Sequence, residues 1–364
     1  DMKVLLEEKK KVILTLLMGG ILMFLATIMY NTYSAYTIMV VQQQQQHLLL
    51  ISRAVAQNME LYISDQLRDI RSVTQTPGFL ESMEHYYETS ETARMKEYIY
   101  SYMVSHQQDP VRIYVLNREG EEIFHYNQYP FVAELDEEKL ALKESVKSRE
   151  SGIGRVFPID SGRCGMTLVT SVYGGNGFLG TVVSVMDLDV LYKQYVANLN
   201  FRDQGDIVVK DGSGNIIMHP DTRMLQFNYE RDIQDLGAMP QYESLRDMLA
   251  KQYSQEEGTA VFDSYSGGIL PRERLIAAFS RMNLSGNSWY VSTAMPYSKA
   301  VELENNMLRR FGLLAATVLV LVIASGVIIY HLLRNRQKLK LETKYLKEIN
   351  HTLEELHQSR EEAR

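Results

Sequence analysis

The sequence predicts an α+β fold with two modules of antiparallel sheet, a long N-terminal stalk helix, two flanking transmembrane helices and a C-terminal coiled coil. Apolar runs at 12–30 and 311–333 are each long enough to cross a bilayer, which takes about 20 residues as a helix. Helical spacing follows the first run, and short strand-like segments separated by glycine turns fill the rest of the middle.

Basic residues next to the two runs predict the topology. Because positive charge favours the cytoplasmic side, both tails are expected inside the cell and the middle outside. Arg309 and Arg310 argue weakly against this, but they can snorkel to the headgroups. A cleaved signal peptide is the alternative for the first run, although that run is long and 31–36 offers a poor cleavage site. The basic residues are Lys9, Lys10 and Lys11 before the first run, and Arg334, Arg336, Lys338 and Lys340 after the second.

The expected boundaries place each segment relative to the membrane. They are a cytoplasmic segment 1–11, a first span 12–33, a stalk helix 34–76, a first, membrane-distal module 77–200, a second, membrane-proximal module 201–300, a second span 309–333 and a cytoplasmic helix 334–364.

Composition narrows the class of protein. The 364 residues are 45% hydrophobic and 23% charged, which is ordinary for folded material rather than a disordered tether. The single cysteine, Cys164, excludes an intramolecular disulfide. A net charge of -7, with no basic cluster in the middle, gives nucleic acid nothing to bind. No cofactor is predicted.

The stalk and the first module follow from periodicity and turns. Apolar residues at helical spacing predict a helix that ends near Pro77 and Gly78, and the tract 42–46 is its solvated portion. The stripe consists of Leu48, Ile51, Val55, Met59, Ile63, Leu67 and Ile70. The expected elements that follow are a helix at 91–104, a hairpin of 111–116 and 121–126, a helix at 136–148, and a hairpin of 166–173 and 180–185.

The same plan recurs downstream and predicts the second module. Its expected elements are a hairpin of 206–210 and 216–219, a helix at 241–252, and strands at 259–265, 275–279 and 289–295.

Four segments, in this order and between two spans, resemble the double Cache sensor domains of bacterial receptors, whose modules contain PAS-like sheets. They are 114–120, 177–183, the run from 207–211 through 217–221, and 286–291. The resemblance implies that a small ligand is sensed in the membrane-distal module, in a pocket between its sheet and the overlying helices and loops.

The amino-acid-binding members of that family carry an Arg-x-Trp-Tyr motif and an aspartate near the end of the last strand. The motif is absent here, because the only tryptophan is Trp289 in the other module. The aspartate position falls on Val185, and Asp187 is offset by two. An α-ammonium group would need a buried carboxylate that Val185 cannot provide, so a free amino acid is not supported as the ligand.

Location alone suggests the other pocket residues. Tyr126 ends a strand, Phe157 and Asp160 are expected in the following loop, and Arg163 lies near the next strand with forked donors that suit a carboxylate. The alternative is that Tyr126 and Phe157 are core aromatics and that Arg163 is a solvated turn residue.

No catalytic residue or metal ligand is predicted. The segment 175–180 matches G-x-G-x-x-G, but a strand rather than a helix follows it, so no helix N-terminus would face a pyrophosphate. The histidines lack metal-site spacing. His219, Pro220 and Asp221 fit a structural turn rather than part of a triad.

The sequence of the C-terminal helix indicates what kind of signalling protein this chain belongs to. A heptad seam indicates a short parallel coiled coil and hence a homodimer, with a single solvated helix as the alternative. The tail resembles linkers of sensor histidine kinases, which implies a kinase receptor with a response-regulator partner; a diguanylate cyclase or a chemoreceptor is the alternative. An output domain is expected beyond Arg364. A membrane-anchored ectoenzyme and a passive scaffold are the other classes. The seam residues are Leu339, Glu342, Leu346, Ile349, Leu353 and Leu356.

Overall fold

The computed structural model describes residues 2–106, 110–128, 136–160, 162–197, 199, 205–284, 287–302 and 305–362. The chain divides into two compact units. One is Val40–Val301, and the other combines Asp1–Met39 with Glu302–Arg364.

The stalk helix is confirmed as part of α1, Met2–Thr74. Within Val40–Val301 its predicted stripe is buried except for Ile51, which is half-buried. The helix ends at Thr74, two residues before the expected boundary at 76, because Pro77 begins a new helix at its first position, where its missing N–H is not needed.

The first module contains more structure than the sequence predicted. Its helices are α2 (Pro77–Thr89), α3 (Ala93–Ser105), α4 (Asp136–Ser148) and α5 (Leu188–Tyr192), followed by a π-helical turn, Lys193–Ala197. Its strands are β1 (Arg112–Leu116), β2 (Glu122–Asn127), β3 (Gly152–Asp160), β4 (Arg163–Gly174) and β5 (Gly177–Asp187).

Two elements of this module differ from the prediction made from the sequence. Helix α2 precedes the expected helix, and β3 occupies the segment that was expected to be a loop, so Phe157 and Asp160 lie in a strand. Gly152, Gly154 and Pro158 disfavour a strand locally. Strand β3 nevertheless forms at the edge of the sheet, where it pairs only with β4.

The strands of the first module form one antiparallel sheet in the order β2-β1-β5-β4-β3. Both predicted hairpins are confirmed. Gly120 and Gly177 take φ values of 85° and 108° at the turns, in the region that glycine enters without steric cost.

The second module repeats this arrangement. Its sheet has the order β7-β6-β10-β9-β8, so its five strands, counted along the chain, are arranged in the same order as those of the first sheet. The predicted pair of similar modules is thus confirmed. Its strands are β6 (Asp206–Lys210), β7 (Ile216–Met218), β8 (Glu257–Asp263), β9 (Arg274–Leu284) and β10 (Asn287–Pro296). Its helices are α6 (Tyr229–Asp232), α7 (Glu243–Ser254) and α8 (Tyr297–Glu302), with 3-10 turns at Thr222–Met224 and Pro240–Tyr242.

One apolar core joins α1 to both sheets. Leu48, Val55 and Met59 of α1 pack in the same cluster as Met166 of the first sheet and Val291 of the second. The two modules therefore share buried surface as well as a helix.

In the terminal unit, α9 runs from Asn305–Glu362. Among the described residues, one helix, Gly312–Glu355, is long and apolar enough to cross a membrane. Residues 303 and 304, which connect α8 to α9, lie outside the described residues. The first span, the coiled coil and the dimer remain predictions.

Candidate functional site

The candidate site lies on the face of the first sheet that α4 covers, here called the α4 face. Tyr114, Phe157, Val183 and Val185 are buried there in one apolar cluster with Ala141 of α4. Their positions follow from strand alternation, since every second residue of a strand faces the same side. The opposite face packs against α1, α2 and α3.

A buried ion pair connects α4 to the sheet. Nη1 of Arg112 donates hydrogen bonds to both carboxylate oxygens of Glu138 at 2.9 Å, and the two side chains are 3% and 6% exposed. The Tyr114 hydroxyl donates to Oε1 of Glu138 at 3.0 Å and accepts from Nη1 of Arg112 at 3.1 Å. Nε of Arg112 donates to Oδ1 of Asn127. Each charge thus offsets the desolvation of the other.

Buried hydroxyl groups lie on the same face. Val185 pairs with Arg112 on one side and with Thr167 on the other, so the three form a row across β1, β5 and β4. Oγ1 of Thr167 and Oγ1 of Thr181 have no hydrogen-bond partner within the described part of the chain. A Cβ at Gly154 would lie 2.1 Å from Oγ1 of Thr167, so only glycine fits beside that hydroxyl. Buried hydroxyls usually have partners. Oγ of Ser171, and Oγ1 of Thr170 on the opposite face, lack one within the described residues as well.

The structure places the aromatic candidates on opposite faces. Phe157 is 1% exposed on the α4 face and belongs to the same apolar cluster as Val185. Tyr126 is half-buried on the other face, where its ring lies 6.0 Å from that of Tyr100 on α3 and 5.8 Å from that of Phe124. Phe157 and Val185 are therefore brought together, and Tyr126 is separated from them by the sheet.

Asp160 and Arg163 form an ion-pair cluster at one end of this sheet. Arg163 donates to Oδ2 of Asp160 at 2.7 Å and to Oδ2 of Asp187 at 3.0 Å. Asp187 is 3% exposed and caps α5 by accepting from the N–H of Asp189 at 2.9 Å. Burial raises the pKa of Asp187, although the Asp189 N–H and Arg163 oppose this shift. Burial also raises the pKa of Asp160, but the hydrogen bonds from Arg163 and Gly162 outweigh it and leave that pKa lowered. Arg163 is thus a paired residue that fixes the strand ends.

The second module has a buried cation of its own. Nζ of Lys210 donates to Oε1 of Gln252 at 3.0 Å and lies 4.7 Å from the ring centre of Tyr229. Gln252 in turn donates to Oγ of Ser292 at 2.7 Å. Burial lowers the pKa of Lys210 to about 7, partly opposed by the charge of Glu230. No carboxylate lies within ion-pair distance of Lys210 in the described part of the chain.

Sequence reasoning missed Arg112, Glu138 and Tyr114. A signal for two of them was present, because Arg112 and Tyr114 alternate with apolar residues in a strand that is otherwise Val, Ile and Leu. A charged residue in a central, fully buried strand needs a partner. The partner itself was not visible, since Glu138 comes from a helix 26 positions later.

The comparisons with known proteins agree with this architecture. A sequence model of the Cache domain family, in its double Cache form, matches residues 37–303. No curated protein matches the chain.

Solved sensor domains resemble the chain in fold. The periplasmic sensory domain of the Campylobacter jejuni chemoreceptor Tlp1 has a TM-score of 0.51 at 13% identity, covering 72% of this chain and 98% of that one. The extracellular domain of the putative histidine kinase vpHK1S-Z8 has a TM-score of 0.51 at 14% identity, with 72% and 96% covered. The ligand-binding domain of the Pseudomonas aeruginosa PAO1 amino acid chemoreceptor PctB, in complex with L-Gln, has a TM-score of 0.49 at 15% identity, with 70% and 91% covered.

Cache domains are extracytoplasmic sensor domains of membrane receptors, and ligand sensing is their shared activity. The family model covers well over half of the sequence, and the two repeated sheets on one long helix fit the double form of the fold. The chain therefore belongs to the Cache domain family.

Proposed function

We propose that this chain is the sensing and transmembrane signalling region of a bacterial two-pass receptor in the cell membrane. A small molecule binds on the α4 face of the first module, and the change passes through the second span to a dimeric cytoplasmic helix. The observation that carries the proposal is the buried polar group on that face, where Arg112, paired with Glu138, and Thr167, whose hydroxyl has no described partner, flank Val185 on the neighbouring strands. A buried hydroxyl without a partner is uncommon in a packed core.

The output is proposed to be a sensor histidine kinase acting on a response regulator. The heptad seam after the second span and the resemblance of the tail to kinase linkers support this choice. A diguanylate cyclase or a chemoreceptor is the alternative. Isolating the native full-length protein and assaying autophosphorylation on histidine separates the kinase from both.

The route between the modules is proposed to run through their shared core. Arg163 connects β3 and β4 to Asp187 at the end of β5, and Asp187 caps α5, which leads toward the second module. Nearby, the Gln226 amide donates to Sγ of Cys164 at 3.3 Å, which connects a loop of the second module to the first sheet. Ligand-dependent movement of this end of the sheet would therefore reach the second module.

Ligand screening tests the sensing step. The full chain in lipid nanodiscs is heated with and without members of a metabolite library, and unfolding is followed by fluorescence. A ligand that binds only the folded state raises the melting temperature by mass action, by an amount that grows with its concentration. A library with no stabilising member would contradict the sensor proposal. Turnover of a library member would instead favour the ectoenzyme alternative.

Thiol mapping tests the membrane topology. In a Cys164→Ala background, Lys251→Cys places a thiol on the exposed side of α7, and Gln337→Cys places one on the exposed part of α9. An impermeant maleimide added to intact cells is expected to label the first and not the second. Labelling in the opposite pattern, or labelling of both positions, would rule out the two-pass arrangement with cytoplasmic tails.

A further inference from the structure

We propose that Arg112 recognises a carboxylate of the ligand, and that Glu138 is a carboxylate of the chain itself that holds this place until the ligand displaces it. The inference rests on the proposed sensing function and names its ligand class, small organic acids. In this proposal the first turn of α4 is a lid, and the Glu138 carboxylate that holds it on the sheet is the group that the ligand displaces.

The geometry of Arg112 supports its proposed role in binding a carboxylate of the ligand. Its guanidinium lies at the start of β1 with 3% of its surface exposed, and it already binds a carboxylate through charge-assisted hydrogen bonds of 2.9 Å. The Tyr114 hydroxyl adds a third contact to that carboxylate. An incoming carboxylate in the same position would receive the same hydrogen bonds. No new pocket for the anion has to be created.

The position of Glu138 in α4 supports the proposal that a ligand can displace it from Arg112. Glu138 lies in the first turn of α4, and Asp136 and Glu137 are the other acidic residues of that turn. The rest of α4 packs on the sheet through the buried Ala141 and the partly buried Leu142 and Val146. Replacement of Glu138 at Arg112 therefore frees the first turn of the helix and leaves its packed portion in place.

The row of residues beside Arg112 defines the remainder of the ligand. Val185 stands opposite Arg112, and its apolar side chain offers an ammonium group no partner. Thr167 comes next in the row, about 10 Å from Arg112 because adjacent strands lie roughly 5 Å apart, and its hydroxyl has no described partner. A carboxylate with a hydroxyl or a second carboxyl group at its other end fits this row.

Competition from within the chain sets the expected affinities. A tethered carboxylate acts at an effective concentration of about millimolar or more, so the wild-type chain should bind organic acids weakly. Glu138→Gln keeps the shape of the side chain but removes its charge. The variant should bind the same acid at least about tenfold more tightly, because the binding-competent state no longer has to be generated by displacement.

The test measures binding of L-malate, succinate and L-lactate to the full chain in nanodiscs by calorimetry. Glu138→Gln is compared with wild type and with Glu144→Gln, which removes an exposed ion pair between α4 and Arg155 of the sheet, 3.4 Å long. Tighter binding of at least one acid in Glu138→Gln and unchanged binding in Glu144→Gln are expected. The double variant Arg112→Met with Glu138→Gln, which leaves neither charge buried alone, should not bind it.

Other results would overturn the inference. If no acid binds any variant, or if binding is the same with and without Arg112, this residue is structural. Tighter binding of an amino acid by wild type than by Glu138→Gln would assign Glu138 to the ligand's ammonium group instead. Should Glu138→Gln fail to fold, Glu138→Ala with added acetate replaces it: saturable restoration of thermal stability is expected, and no restoration contradicts the proposal. A neutral ligand found by library screening would refute this inference and leave the sensing function intact.

Discussion

Oγ of Ser52 on α1 lies 2.7 Å from Oγ1 of Thr293 on β10, and neither side chain is exposed to solvent. Thr293 also bonds the carbonyl of Leu48 at 2.8 Å, and Ser52 bonds that of Ala278 at 3.2 Å. The two hydroxyl groups have only two protons for these three contacts, so one proton is shared between two acceptors. This polar pair fixes the register of the stalk helix against the second sheet, because sliding α1 by one residue would bury both hydroxyls without partners.

Ser52→Ala should lower the free energy of unfolding by about 1 kcal/mol, the usual net value of a buried hydrogen bond. Urea unfolding followed by the fluorescence of Trp289 measures this, since the only tryptophan is buried in β10, the strand that also carries Thr293. Ser64→Ala, at an exposed position of the same helix, is the matched control and should change little. Equal midpoints for the two variants would mean that the pair does not fix the helix.

Lys210→Met should remove a pH dependence of stability. The pKa of Lys210 is about 7 in the folded chain and near 10.5 when unfolded, so between these values the unfolded state holds a proton that the folded state lacks. Wild-type stability therefore rises with pH from about 7 toward 10, by at most about 1.4 kcal/mol per unit from this group. Below pH 7 the group adds no further slope. Unfolding at pH 7, 8 and 9 should give a flatter line for Lys210→Met and a wild-type slope for the exposed control Lys251→Met.

Phe157→Ala should lower the free energy of unfolding by about 3 to 5 kcal/mol, because it leaves a cavity in the apolar cluster under α4. Tyr126→Phe should have almost no effect, since its hydroxyl makes no hydrogen bond within the described chain and its ring remains. Thermal unfolding of both variants gives the comparison. A small loss for Phe157→Ala would argue that this ring lines an open pocket rather than a packed core.

Arg163→Met should destabilise the chain more at pH 7 than at pH 4.5. Burial already raises the pKa of Asp187, and the loss of Arg163 would raise it further, so the folded state would hold the Asp187 proton more tightly than the unfolded state. Stability of the variant is then lost as pH rises through that raised pKa. The deficit at pH 7 should be about 1.5 to 3 kcal/mol, as for a hydrogen bond to a charged group. Arg155→Met, which breaks an exposed pair, should show no such pH dependence.

Glycine turns and alternation predicted most of the fold. The hairpins at Gly120 and Gly177 and the repeat of the plan in the second module were evident because positive φ and period-two patterning are local properties. Strand β3 was not, since Gly154 and Pro158 oppose a strand locally and the pairing with β4 prevails. Here tertiary contact decided the structure.

The candidate site was less accessible from the sequence. Alternation is enough to place Val185 and Tyr114 on one face, but the pairing of Arg112 with Glu138 depends on where α4 docks. The partners of Arg163 were equally hard to predict, because the two carboxylates that it binds, Asp160 and Asp187, come from the ends of different strands. The spacing of residues in the sequence does not show which distant side chains come into contact in the fold.

The apolar cluster shared by α1 and both sheets limits how far the two modules can be exchanged independently of each other. Met166 and Met186 from one sheet, and Ile276 and Val291 from the other, are buried within it together. A chimera joined between the modules would cut through this core even though it interrupts no strand. A foreign first module could replace the native one only if it carried a complementary surface for α1 and for the second sheet. The segment that could be exchanged as a unit between proteins is therefore the whole of Val40–Val301.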